Sequence, residues 1–106
     1  MSDQARNRFL SELLKKVHKG KRQVFCEDQN TYYLQLNTKE QEALGLGERV
    51  SVRKLIAMFI LGNSTRLKGF FFREEKFYSL LTQQEQPYFE GKSQVSQTEL
   101  KRFAQL

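Results

Sequence analysis

The tract KKVHKGKR, Lys15 to Arg22, puts five cationic side chains into eight residues across a helix end and a glycine turn. Groups spaced in this way can converge on a phosphate backbone, in contacts that read no base sequence and weaken steeply with salt. Lys15, Lys16, Lys19, Lys21 and Arg22 are therefore the first candidate nucleic-acid-binding residues. The plainer reading is a solvated helix end whose cations complement the dipole. A second tract, RLKGFFFREEKFY, Arg66 to Tyr78, interleaves Arg66, Lys68, Arg73 and Lys76 with aromatic residues. Successive residues of a hairpin alternate faces. Phe70 and Phe72 then fill the core while Phe71 points outward beside Arg73, as a platform on which a base can stack. The plainer reading buries phenylalanines on both faces.

Other chemistry is sparse. His18 ends a lysine-rich helix with no carboxylate near it in sequence, and a general base needs a positioned partner. Its lysine neighbours would disfavour the protonated form. Cys26, the one cysteine, lies on an apolar strand face and reads as a small buried residue rather than an activated nucleophile. One histidine and one cysteine are too few for a protein-only zinc site. The acid pairs Glu27/Asp28 and Glu74/Glu75 fall at turns, where solvated carboxylates are routine. Gly45 and Gly47 lack the apolar strand and the Gly-Lys-Ser/Thr of a phosphate-binding loop. The chain is accordingly read as no enzyme, with no catalytic residue, no metal and no cofactor.

Charge is segregated along the chain. Fourteen of the eighteen lysines and arginines lie in residues 1–23 and 49–76, each block carrying +5, and residues 27–48 between them carry −4. Such segregation creates local fields that steer an anionic partner. A lone cysteine, no apolar leader and no apolar run near the ~20 residues a bilayer needs give a cytoplasmic, non-membrane expectation.

The elements that must position these groups follow from periodicity. Ala5, Phe9, Leu10, Leu13, Leu14 and Val17 mark one face of a helix over about residues 4–18, with Gly20 as its stop. Residues 23–27 and 31–36 read as strands of one hairpin. Asn37 with Glu40 forms a capping box opening a helix to Leu44. Val50 to Leu61 is apolar around most of a helix. Residues 69–73 and 76–81 read as a second hairpin, Tyr88-Phe89 as a short strand, and Ser96 with Glu99 as a cap on a helix over 97–105. The predicted fold is α+β: an amphipathic N-terminal helix, two antiparallel β-hairpins, a central buried helix and a short C-terminal helix. With no linker and no internal repeat in view, residues 1–106 form one domain.

Two stretches bear partial resemblances to known families. Lys68 to Phe72 is similar to the first half of the aromatic motif of RNA-recognition domains, but Phe71 stands where that motif has a small residue. Residues 32–60 are similar to a ribbon–helix–helix repressor, but with a first helix one turn too short. Helices at 38–44 and 50–61 followed by a hairpin also have the order of a winged helix-turn-helix. No site residue is carried over from either family.

The leading expectation is a non-catalytic regulatory protein that binds nucleic acid (DNA or RNA) or a nucleoprotein through the two basic blocks. The alternative is a protein–protein adaptor, in homodimeric form or with another protein partner. It would use the apolar 50–61 helix as a seam and the acidic 27–48 stretch as a complementary surface.

Overall fold

In a computed structural model of the protein, residues 3–27, 31–63, 66, 71–73 and 76–105 are described. The order of elements is α1 (Asp3–His18), β1 (Phe25–Cys26), β2 (Tyr32–Gln35), α2 (Thr38–Leu44), β3 (Arg49–Ser51), α3 (Val52–Gly62), β4 (Phe71–Arg73), β5 (Lys76–Leu80), a 3-10 turn (Gln86–Phe89), β6 (Gln94–Ser96) and α4 (Gln97–Gln105). The α+β fold, with four α-helices among the described residues, is the one expected from periodicity. Each predicted hairpin gains a third antiparallel strand, giving sheets of order β1-β2-β3 and β4-β5-β6.

Capping chemistry sets the helix starts. Asn37 Oδ1 accepts from the Glu40 N–H at 2.8 Å, and the Asn37 N–H donates back to Glu40 Oε1 at 3.0 Å, completing the predicted box. Ser51 Oγ accepts from the Lys54 N–H and Ser96 Oγ from the Glu99 N–H, so α3 and α4 each begin one residue after a serine cap. The apolar helix therefore starts at Val52 rather than Val50. Val50 is spent on β3, where it pairs with Leu34. Tyr88-Phe89, expected as a strand, lies in the 3-10 turn, because Pro87 near its start fixes φ in the helical range. With β3 standing between α2 and α3, the helix-turn-helix order is not formed.

The chain contains an internal repeat that its sequence conceals. Asn37 and Glu40 are matched forty-five positions on by Thr82 and Glu85, where Thr82 Oγ1 accepts from the Glu85 N–H and the Thr82 N–H donates to Glu85 Oε1. Gln41 Nε2 donates to the Leu36 carbonyl, and Gln86 Nε2 to the Leu81 carbonyl. The Leu36 N–H reaches the Glu48 carbonyl, and the Leu81 N–H the Ser93 carbonyl. Leu34 pairs with Val50, and Ser79 with Val95. A left-handed residue follows the short helical segment in both copies, Gly45 at φ 66° and Glu90 at φ 58°. The fold is thus α1 followed by two copies of a hairpin–turn–strand–helix unit, whose final helices α3 and α4 pack against each other.

One apolar cluster joins the copies. It takes Leu10, Leu13, Leu14 and Val17 from α1, Leu34 and Leu36 from the first hairpin, Val52, Leu55, Ile56 and Ile60 from α3, and Val95 and Leu100 from the second unit. Leu55 and Leu100, equivalent in the repeat, are both fully buried. Replacing Leu55 by alanine is expected to cost about 2–5 kcal/mol, since the rigid surroundings close only part of the cavity. Thermal unfolding would check it; a cost under about 1 kcal/mol would show a loosely packed centre.

Candidate nucleic-acid interface

The final turn of α1 carries Lys15 and Lys16, and the exposed segment after it Lys19 and Lys21. Its amphipathic spacing commits Leu13, Leu14 and Val17 to the core, so the intervening lysines must face water. Gly20, at φ 72°, turns the chain at the helix end and keeps Lys19 and Lys21 close to the last carbonyls. Lys15 lies 3.6 Å from Glu12, an exposed pair of little energetic weight. Lys16, Lys19 and Lys21 enter no ion pair among the described residues.

The two arginines of the candidate set are placed differently. Arg22 donates to both carboxylate oxygens of Glu40 and, at 3.0 Å, to the Gln35 carbonyl. Arg66 repeats the arrangement: its terminal nitrogens lie 2.9 Å from both oxygens of Glu85 and 2.9 Å from the Leu80 carbonyl. Each guanidinium ties a capping-box glutamate to the end of the preceding strand. Arg22 and Arg66 hold the repeated unit together, and their charges are neutralised inside it. Lys68 lies outside the described residues. Phe71 and Arg73 occupy β4 and Lys76 begins β5, with Phe71 opposite Tyr78 and Arg73 opposite Lys76.

Glu85 links the two sequence blocks in space. It pairs with Arg66, and its charge also acts on His18 at the end of α1. The carboxylate that His18 lacks in sequence is therefore supplied by the fold. Burial holds the imidazole below its ordinary pKa, and Glu85 opposes that shift. Burial, rather than the lysine neighbours, is the cause. Glu40 feels burial most, which would raise its pKa, but the Arg22 hydrogen bonds, the Asn37 N–H and the charges of Arg22 and Lys16 outweigh it and leave the carboxyl below its ordinary value.

Both shifts give the same sign with pH. A depressed carboxyl stabilises the fold above its unfolded pKa, and that stability is lost as pH falls through the lower folded value. A depressed imidazole makes the unfolded chain the better proton acceptor below the ordinary histidine pKa of about 6.5, so stability again falls on acidification. Unfolding midpoints are expected to fall from pH 7 to 5 through His18 and further below about 4.5 through Glu40. Replacing His18 by glutamine should flatten the first step alone; an unchanged profile would remove His18 from the account.

An aromatic and cationic group that the sequence did not single out lies on the first sheet. Leu34 and Val50 face the core, so Phe25, Tyr33 and Arg49 share the opposite face. Phe25 and Tyr33 stack with centroids 5.4 Å apart, and the Arg49 guanidinium sits 3.9 Å over Tyr33 while pairing with Glu27. The signal was available in Phe25 and Tyr33 as alternating residues of a hairpin, but Arg49 reaches them only through β3. Cys26, expected to be buried, is exposed, because β1 is a two-residue edge strand.

The seam of the adaptor reading is already filled. Val52, Leu55, Ile56, Ala57, Met58 and Ile60 of α3 are buried within the chain. Among the described residues, Phe77 and Leu80 are the large apolar side chains left more than half exposed, and they lie on opposite faces of β5. The acidic stretch is partly neutralised as well, Glu27 by Arg49 and Glu40 by Arg22. Among the described residues no helix is long and apolar enough to cross a membrane, and no group of three His, Cys, Asp or Glu side chains is placed to hold a metal ion. No protein-family model, curated protein or solved structure matches the chain.

Proposed function

We propose that the protein binds nucleic acid, alone or within a nucleoprotein, through the lysines at the end of α1. The supporting observation is the contrast between cations. Arg22, Arg49 and Arg66 are paired with carboxylates of the fold, whereas Lys16, Lys19 and Lys21 stand exposed without such partners among the described residues. Flexible exposed ammonium groups suit contact with phosphates, which position a strand without reading it. The Phe25–Tyr33–Arg49 face adds a surface on which a base can stack. Net charge of +6 favours association at long range.

The test is a titration of the purified protein against duplex DNA and against structured RNA, at salt between about 50 and about 200 mM. Affinity should fall steeply with salt and vary little with sequence. Failure to bind either polymer at the lower salt would contradict the proposal.

A further inference from the structure

A cavity of about 370 Å³ opens beside the start of α3, walled by Tyr32, Arg49, Arg53, Lys54, Tyr88 and Phe103. That volume lies in the range of sites that enclose a small ligand. Of the cavity's eleven lining residues three are aromatic and three are Arg or Lys, of which Arg49 is already paired with Glu27, and the lining contains no Asp or Glu. Arg53 is the informative residue. Its Nε donates to the Tyr88 carbonyl at 2.8 Å, and its guanidinium carbon sits 4.8 Å over the Phe103 ring. Those contacts fix the plane of the group. Its two terminal nitrogens take no protein acceptor among the described residues, which leaves a preoriented pair of donors, the geometry that suits a phosphate.

The aromatic part is ordered too. Tyr32 and Tyr88 meet edge to face at 5.4 Å, and burial, with Tyr32 adding to it, raises the Tyr88 phenol pKa. The fold does not need cations at such a corner: the repeat places Thr98 and Glu99 where Arg53 and Lys54 stand in the first unit. We infer that this cavity is a nucleotide site, taking one unstacked nucleotide with its phosphate on Arg53 and Lys54 and its base against the aromatic walls. The same unit can arrive as a free nucleoside monophosphate or as part of a single strand. This deepens the polyanion reading by naming single-stranded over duplex substrate, and it rests on that reading only for the strand-borne case.

Titration calorimetry with AMP, UMP, adenosine and inorganic phosphate, and fluorescence anisotropy with a labelled single-stranded 12-mer and its duplex, test it. The monophosphates should bind at least ~10-fold more tightly than adenosine or phosphate alone. If the strand is the natural source, the 12-mer should exceed its duplex by a similar factor. Gly47 lines the cavity, has open space at its Cβ position and lies outside the left-handed region, so Gly47→Phe fills the site without backbone strain. It should remove monophosphate binding, and Lys54→Glu should weaken it at least ~10-fold, with thermal melting confirming that both variants fold. A combined Lys15→Glu, Lys16→Glu, Lys19→Glu and Lys21→Glu variant should keep monophosphate binding even where it loses the polymer. Monophosphate binding that is absent at millimolar ligand, or unchanged in folded Gly47→Phe, overturns the inference. Loss of it in the lysine variant does so as well, by moving the site to α1.

Discussion

Replacing Glu85 by alanine is expected to destabilise the protein by about 3–5 kcal/mol, the usual cost of leaving one partner of a buried ion pair alone. Arg66 and Glu85 keep only 21% and 5% of their side-chain surface exposed, so this is no surface pair worth a few tenths. The substitution also removes the acceptor for the Thr82 N–H and releases the Leu80 carbonyl contact. Total stability of a domain this size is roughly 5–15 kcal/mol, so the variant should sit near the edge of folding at 37 °C. Glu85→Gln should cost less, because an amide oxygen still accepts from Thr82. Glu40→Ala should resemble Glu85→Ala, since Arg22 and Glu40 occupy the equivalent place. Urea midpoints read at constant slope would check the series. Losses under about 1 kcal/mol for both alanine variants would mean the two clamps do not hold the units together.

These clamps show where sequence reasoning stops. The Asn37–Glu40 box and the Ser96 cap are local signals, three residues apart, and the sequence predicts the helices they open to within a residue. The arginines that complete the clamps lie 18 and 19 positions from their glutamates, a distance no local rule spans. Arg22 and Arg66 therefore read as surface cations, and Glu40 as a capping residue alone. The third strands, β3 and β6, are three residues each, too short for alternation to show, and each ends in the serine that caps the next helix.

The repeat was hidden for a different reason. Between residues 31–61 and 76–106 only eight of thirty-one aligned pairs are identical, among them Glu40/Glu85, Gln41/Gln86, Val50/Val95, Ser51/Ser96 and Leu55/Leu100. Those pairs include the positions that make the clamp, the cap and the core. The intervening residues diverged with their surroundings. Pro87 shortens the second copy of α2 to a 3-10 turn, and α4 is amphipathic where α3 is buried on most of its circumference. The candidate interface was legible in the same uneven way. Lys15 and Lys16 are exposed because the apolar stripe of α1 leaves them no other place, and Lys19 and Lys21 because they lie in the exposed turn that follows it. The cavity beside α3 was not legible, because Arg53 and Lys54 look like interruptions in an apolar helix until β3 and the second unit wall them in.

The second large effect concerns the lysines. On duplex DNA, four phosphate contacts give a slope of about −3.6 in log affinity against log salt, so affinity should drop on the order of 100-fold between about 50 and about 200 mM. Reversing Lys15, Lys16, Lys19 and Lys21 to glutamate should abolish measurable binding to either polymer at the higher salt. Because all four side chains are exposed, the variant should unfold within a few degrees of the parent. The most direct measurement is the salt slope itself on duplex DNA, taken for the parent and for single Lys→Gln variants at each position. A parent slope near −3.6 that becomes shallower by about 0.9 with each substitution is the predicted result. A slope near zero, or one that no lysine substitution changes, would contradict the assignment of these side chains to phosphate contact.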